Sequence, residues 1–181
     1  MRRVVPLTLV LVLIAVAGCG SSSSSSSATD TAGSREGSLT KAEFIARADS
    51  FCEASKMKQE PLRRQLEKAA RKAREEERDN GSASDAARGE LAQTLGRIVT
   101  MAEAGLARVR ALGPPDADAD QLELIFQTTE SAFRTSRAYG AALEGHEDAR
   151  AEAIAERGNA ETRETAALAK RYGFRVCGSQ P

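Results

Sequence analysis

Between Leu91 and Leu112 the residues Leu91, Leu95, Ile98, Ala102, Leu106, Val109 and Leu112 recur in steps of three and four. That is the period of one helix face, and a half-buried strand would alternate in steps of two instead. The stretch predicts a helix from about Ser84 to Leu112, stopped by Gly113, Pro114 and Pro115 because proline lacks the amide that the next turn needs. The same period governs three other segments. A helix is predicted from about Ala117 to Leu143, with Leu122, Ile125, Phe126, Thr129, Phe133, Ser136 and Gly140 inward and Gly145 closing it. Another is predicted from about Glu147 to Tyr172, with Ile154, Gly158, Thr162, Ala166, Ala169 and Tyr172 inward. Its small residues would let backbones approach closely.

The first helix begins at a capping box. In "LTKAEFIARADSFC" the Thr40 hydroxyl can accept from the Glu43 amide while the Glu43 carboxylate reaches back. Phe44, Ala48, Phe51 and Cys52 then share one face, and Leu62, Leu66, Ala69 and Ala73 continue it. Pro61 is expected to kink this helix or restart it. The stripe ends at "DNGS", Asp79 to Ser82, where Asn80-Gly81-Ser82 is a turn rather than a glycosylation site.

Only 4% of the residues are aromatic, none is Trp and 33 are Ala, so a core must be built from Ala, Leu, Ile and Val. Closely packed helices suit that palette better than a sandwich or barrel. The expected class is all-α. Short connections between long helices favour antiparallel neighbours, hence an up-down-up-down four-helix bundle.

In such a bundle the first helix starts where the fourth ends. Cys52 lies twelve residues beyond Thr40, about 18 Å along the axis. Gly173 in "KRYGFRVCG" is placed to stop the fourth helix, and the four residues after it span about 13 Å when extended. A tail folded back on that scale brings Cys177 to Cys52, and a disulfide between them is expected. The alternative is a pair of buried free thiols acting as small hydrophobes.

The amino terminus follows a different logic. Arg2 and Arg3 precede fourteen uncharged residues, Val4 to Ala17. A membrane span needs about 20 apolar residues, whereas a basic start, a short apolar middle and a small-residue end describe a secretory signal. Val16, Ala17, Gly18 and Cys19 resemble the bacterial lipobox. The resemblance implies cleavage between Gly18 and Cys19 and lipidation of Cys19, by diacylglycerol thioether and palmitate-type acyl chains, which hold a protein at a membrane when two or more are present. The competing readings are an ordinary signal in which Cys19 is incidental, or an uncleaved anchor.

Gly20 to Leu39, "GSSSSSSSATDTAGSREGSL", carries almost no apolar mass and is expected to act as a disordered tether. Taken together, the lipobox, the tether, "LTKAEFIARADSFC" and "YGFRVCG" resemble a group of uncharacterised actinobacterial secreted helical proteins. The resemblance brings no activity with it. The expected divisions are a signal peptide at 1–18, the lipidated Cys19 and tether at 19–39, a bundle domain at 40–178 and a tail at 179–181.

Charge and chemistry narrow the function by exclusion. The chain has 26 basic and 26 acidic residues, so no basic surplus points to nucleic acid. The mixed run Arg63 to Asp79 is a solvated helix face rather than a binding patch. No cofactor is expected. The one histidine, His146, stands between Glu144 and Glu147 without a Glu-x-x-His or His-x-x-Glu pair, so it is read as a turn or helix-start residue instead of a metal ligand. A Ser or Cys triad would have to use that same histidine, no haem attachment motif occurs, and Glu75 and Glu76 fall on a polar helix side.

The expectation is an exported lipoprotein held by lipid on Cys19 at the outer face of the cytoplasmic membrane, or at another envelope membrane. Its domain would be non-catalytic and would bind an envelope protein, a glycan or a small ligand. The alternative is a carboxylate-based envelope hydrolase or transferase. One experiment addresses the cysteines directly: alkylation of the intact chain should add no mass at Cys52 and Cys177 until a reductant is present, and labelling of both beforehand would refute their pairing.

Overall fold

The computed structural model describes residues 39–179. Four α-helices run in chain order: α1 (Lys41–Asn80), α2 (Asp85–Arg110), α3 (Ala119–Glu144) and α4 (Asp148–Tyr172), with a short 3-10 turn at Asp116–Asp118 before α3. There is no strand among the described residues. The expected signal, lipidated Cys19 and nearly all of the tether lie outside them.

The first two helices begin at side-chain caps. Thr40 Oγ1 accepts from the Glu43 amide at 3.3 Å, and Glu43 Oε2 accepts from the Thr40 amide at 2.9 Å, so two orphan donors are satisfied reciprocally. Leu39, just before the cap, packs on the core that contains Phe44. The α1 helix is a single helix through Pro61. It therefore does not restart there, because the carbonyl deprived of its partner belongs to Met57, on a solvent-facing turn where that side chain is 65% exposed. Ser84 caps α2 by accepting from the Ala87 amide at 3.3 Å, while its own amide donates to Glu76 Oε2 at 2.8 Å.

The α3 helix closes at Gly145 as expected, the Gly145 amide donating to the Ala141 carbonyl at 2.9 Å. Gly145 has φ −79°, and the left-handed residue of the turn is His146, at φ 56°. The Glu147 amide reaches back to the Ala142 carbonyl at 3.0 Å. Histidine tolerates that conformation better than a β-branched residue would.

Two apolar clusters hold the helices together. The first joins Phe44 and Ala48 of α1, Val109 of α2, Leu122, Ile125 and Phe126 of α3, and Ala169 and Tyr172 of α4 with Phe174. Including Phe51 at its edge, it takes five of the chain's seven aromatic side chains. The Phe44, Tyr172 and Phe174 rings meet with centroids 5.0 to 6.4 Å apart. The second cluster joins Ala69 and Ala70, Leu91, Ala142 and Leu143, and Ala151 and Ile154. It has no aromatic at its centre. The arrangement is all-helical and compatible with a four-helix bundle.

Beyond α4 the chain folds back onto α1. Gly173, at φ 117°, stops the helix, and the Phe174 amide returns to the Ala169 carbonyl at 3.1 Å. The Asp49 carboxylate accepts from three successive tail amides, those of Arg175 (2.9 Å), Val176 (3.0 Å) and Cys177 (2.9 Å). A disulfide then joins Cys52 to Cys177, with Cα atoms 5.3 Å apart. Gly178 follows at φ 75°, pressed so close to α4 that a Cβ there would sit 2.5 Å from Ala169 Cβ. Asp49→Ala is expected to lower the unfolding free energy by about 2 kcal/mol, since three donors lose a charged acceptor. Denaturant unfolding checks this, and amide exchange at residues 175–177 should quicken; unchanged exchange would mean that Asp49 does not hold the tail.

Candidate functional site: the cleft between the first and last helices

Consecutive helices pack on one another through their backbones, α1 on α2, α2 on α3 and α3 on α4, but α1 and α4 have no comparable contact. The α3–α4 approach is close at Gly158, where a Cβ would lie 3.3 Å from Thr135 Cγ2. On its other side α4 stands away from α1 and leaves a cleft. The residues predicted to face inward report this opening. Leu91, Leu122, Ile154 and Tyr172, towards the helix ends, are buried, whereas Leu95, Ile98, Ala102, Thr129, Phe133 and Ser136, in the middle, are only half-buried and Thr162 is exposed.

The cleft has two neighbouring chambers. The upper one, of about 330 Å³, lies beneath the Cys52–Cys177 disulfide and the tail. Its floor is apolar, with Leu106 and Val109 from α2 and Ile125 and Phe133 from α3. The lower one, of about 210 Å³, is bounded by Leu66, Leu91, Leu95, Tyr139 and Ile154. Ser136 and Thr162 border both. A larger depression of about 750 Å³ lies beside α4 and the tail, among Arg163, Ala166, Lys170 and Arg175.

A polar stripe on α1 keeps the cleft from closing. Ser55, Lys56, Gln59 and Arg63 follow Cys52 at helical spacing and line the upper chamber. They are chained together: Arg63 Nη2 donates to Gln59 Oε1 at 3.3 Å, and Gln59 Nε2 donates to Ser55 Oγ at 2.9 Å. Lys56 Nζ donates to the Ser179 carbonyl at 2.9 Å and to the Ser179 hydroxyl. Burial pushes both cations below their ordinary pKa; for Lys56 the nearby Arg63 adds to the effect while Glu53 and Asp49 oppose it, and for Arg63 Glu60 and Glu67 oppose it. Packing α4 over this stripe would desolvate two charges for little apolar gain. The facing wall offers only hydroxyls, Thr162 and Thr165, and Thr165 Oγ1 is shielded from solvent without a hydrogen-bond partner among the described residues.

The acids are elsewhere. Among the residues lining the two chambers, only Glu67 carries a carboxylate. Glu43, Glu76, Glu103 and Asp148 lie outside the cleft, each held below the usual carboxylate range by hydrogen bonds from Thr40, Ser84, Arg137 and Arg88 respectively. Glu75 is exposed, and Glu76 is engaged with Ser84. His146 sits in an exposed turn with Nε2 3.3 Å from Asp85 Oδ1. Among the described residues no group of three His, Cys, Asp or Glu side chains is arranged to hold a metal ion, and no helix is long and apolar enough to cross a membrane.

Of the site residues expected from sequence, Cys52 and Cys177 are brought together at the roof of the cleft, while Gly18 and Cys19 lie outside the described residues. Sequence reasoning missed Ser55, Gln59 and Arg63 as a group. The signal was there, as polar residues continuing the Phe44–Cys52 face at the same spacing. No family model matches the chain, and no curated protein or solved structure matches it. Thr165→Val keeps the shape and removes the unpartnered hydroxyl, so it should stabilise the fold by about 1 kcal/mol. Denaturant unfolding checks this, and a loss of stability would show that the hydroxyl is bonded.

Proposed function

We propose that this chain is an exported, membrane-anchored lipoprotein whose helical domain is a non-catalytic binding module, with the α1–α4 cleft as its binding site. The observation that carries the reading is the cleft itself. It has an apolar floor, a polar rim on one helix and no converging pair of acids, features of a site that holds a ligand more than of one that transforms it.

In this reading residues 1–18 are the signal, Cys19 bears the lipid and residues 19–39 tether the domain to the outer face of the cytoplasmic membrane or another envelope membrane. The helices follow up-down-up-down order, with α1 bent at Pro61. The composition of the two apolar clusters supports that order, since each draws on the start of one helix and the end of the next. The Cys52–Cys177 disulfide supports export, because such bonds persist in oxidising compartments. The balanced charge supports a reading in which nucleic acid is not the partner.

Cys19→Ser tests the anchor. It should move the protein from the membrane fraction to the soluble fraction without altering the far-ultraviolet circular dichroism of the domain. Retention in the membrane would refute lipid anchoring at this cysteine.

A further inference from the structure

The two chambers lie end to end along α1 and meet at Ser136 and Thr162, which line both. Along α1 the cleft extends from Cys52 to Ala70, about 27 Å of helix. A compact ring system would occupy one chamber and leave the other empty. A flexible aliphatic chain could occupy both, lying on Leu106, Ile125 and Phe133 above and on Leu95 and Ile154 below.

Charge selects the end group. Arg63 and Lys56 line the upper chamber, and the hydrogen bonds of both go to uncharged oxygens, those of Gln59 and Ser179. Neither forms an ion pair with another described residue, although the surface of this chain is otherwise rich in such pairs. Among the described residues no carboxylate lines the upper chamber. Two part-buried cations whose acidic neighbours, Asp49, Glu53, Glu60 and Glu67, stand outside the chamber and form no ion pair with them complement an anion attached to an apolar body. The planar guanidinium fork of Arg63 and the Gln59 amide beside it match the geometry of a carboxylate. The facing Thr165 hydroxyl, which has no partner, provides one further donor.

We propose that the α1–α4 cleft binds one single-chain aliphatic carboxylate, its head between Arg63 and Lys56 and its chain along the floor towards Leu95 and Ile154. This proposal rests on the reading of the domain as a binding module, and it names the ligand class.

The full-length chain carrying Cys19→Ser, purified without detergent, is titrated calorimetrically with dodecanoate, hexanoate, dodecanol and dodecyl phosphate below their micelle concentrations. Dodecanoate should bind at one per chain, and dodecanol about tenfold more weakly or worse. Arg63→Met and Lys56→Met should each weaken dodecanoate about tenfold while leaving dodecanol unchanged. Thr162→Trp, at an exposed position between the chambers, should remove most of the advantage of dodecanoate over hexanoate. Circular dichroism melting shows whether each variant is folded. Equal affinity for dodecanoate and dodecanol, tighter binding of dodecyl phosphate than of dodecanoate, or no saturable binding of dodecanoate would overturn the assignment. Failure of dodecanoate binding together with release of Cys19→Ser from membranes overturns the ligand class alone. Saturable dodecanoate binding by a Cys19→Ser chain that stays in the membrane fraction overturns the anchor alone.

Discussion

Asp49 and the Cys52–Cys177 disulfide tie together two helices that otherwise meet through a few side chains and not through close backbone packing. The α4 helix rests on α3, and α1 rests on α2, so nothing in the backbone packing brings the first and last helices into register. The carboxylate of Asp49, accepting from three consecutive amides, fixes the path of the tail, and the sulfur bridge one turn further along α1 makes that path covalent. In the chain-entropy picture, closing a loop of this length contributes about 4 to 5 kcal/mol. The cleft exists because this tie acts at one end only. With α1 and α4 pinned there and their polar faces opposed below, the seam stays open without the bundle coming apart.

The distribution of the core fits that division of labour. Aromatic side chains gather at the pinned end, where Phe44 and Tyr172 meet edge to face with Phe174 tilted against both, and Tyr172 also donates to Asp118 at 3.1 Å. Burial and that hydrogen bond raise the pKa of the Tyr172 phenol, which keeps its proton at any ordinary pH. The opposite end relies on Ala69, Ala70, Ala142 and Ala151, aided by Arg88, which is nearly buried and holds Asp148 at the start of α4. Alanine allows helices to approach but buries little apolar area. The polar stripe of Ser55, Gln59 and Arg63 can therefore remain in the middle only because both ends are secured by other means.

Much of this was legible in the sequence, and the failures have physical reasons. The Thr40 cap, the Ser84 start, the Gly173 stop and the cysteine pairing followed from local rules and the connectivity of long helices. Periodicity identified the inward faces correctly at the ends, where Leu122, Ile154 and Tyr172 are buried. It could not say how near the facing helix would come, because that distance depends on what the opposite wall presents. Thr162 was therefore placed inward and is exposed. Asp49 was unreadable for another reason: a lone carboxylate near a helix surface looks solvated until its partners, 126 to 128 residues away, are in place.

The bridge between residues 52 and 177 also makes most of the molecule a covalent ring. All three interhelical connections and all of the cleft's lining except Gly178 and Ser179 lie within it. A protease that cuts the exposed turn after Asn80, or the one around His146, would produce two polypeptides but would not separate them. A nicked molecule would keep its helices at hand for one another and could go on presenting the cleft, so limited cleavage need not destroy this domain while its disulfide remains oxidised.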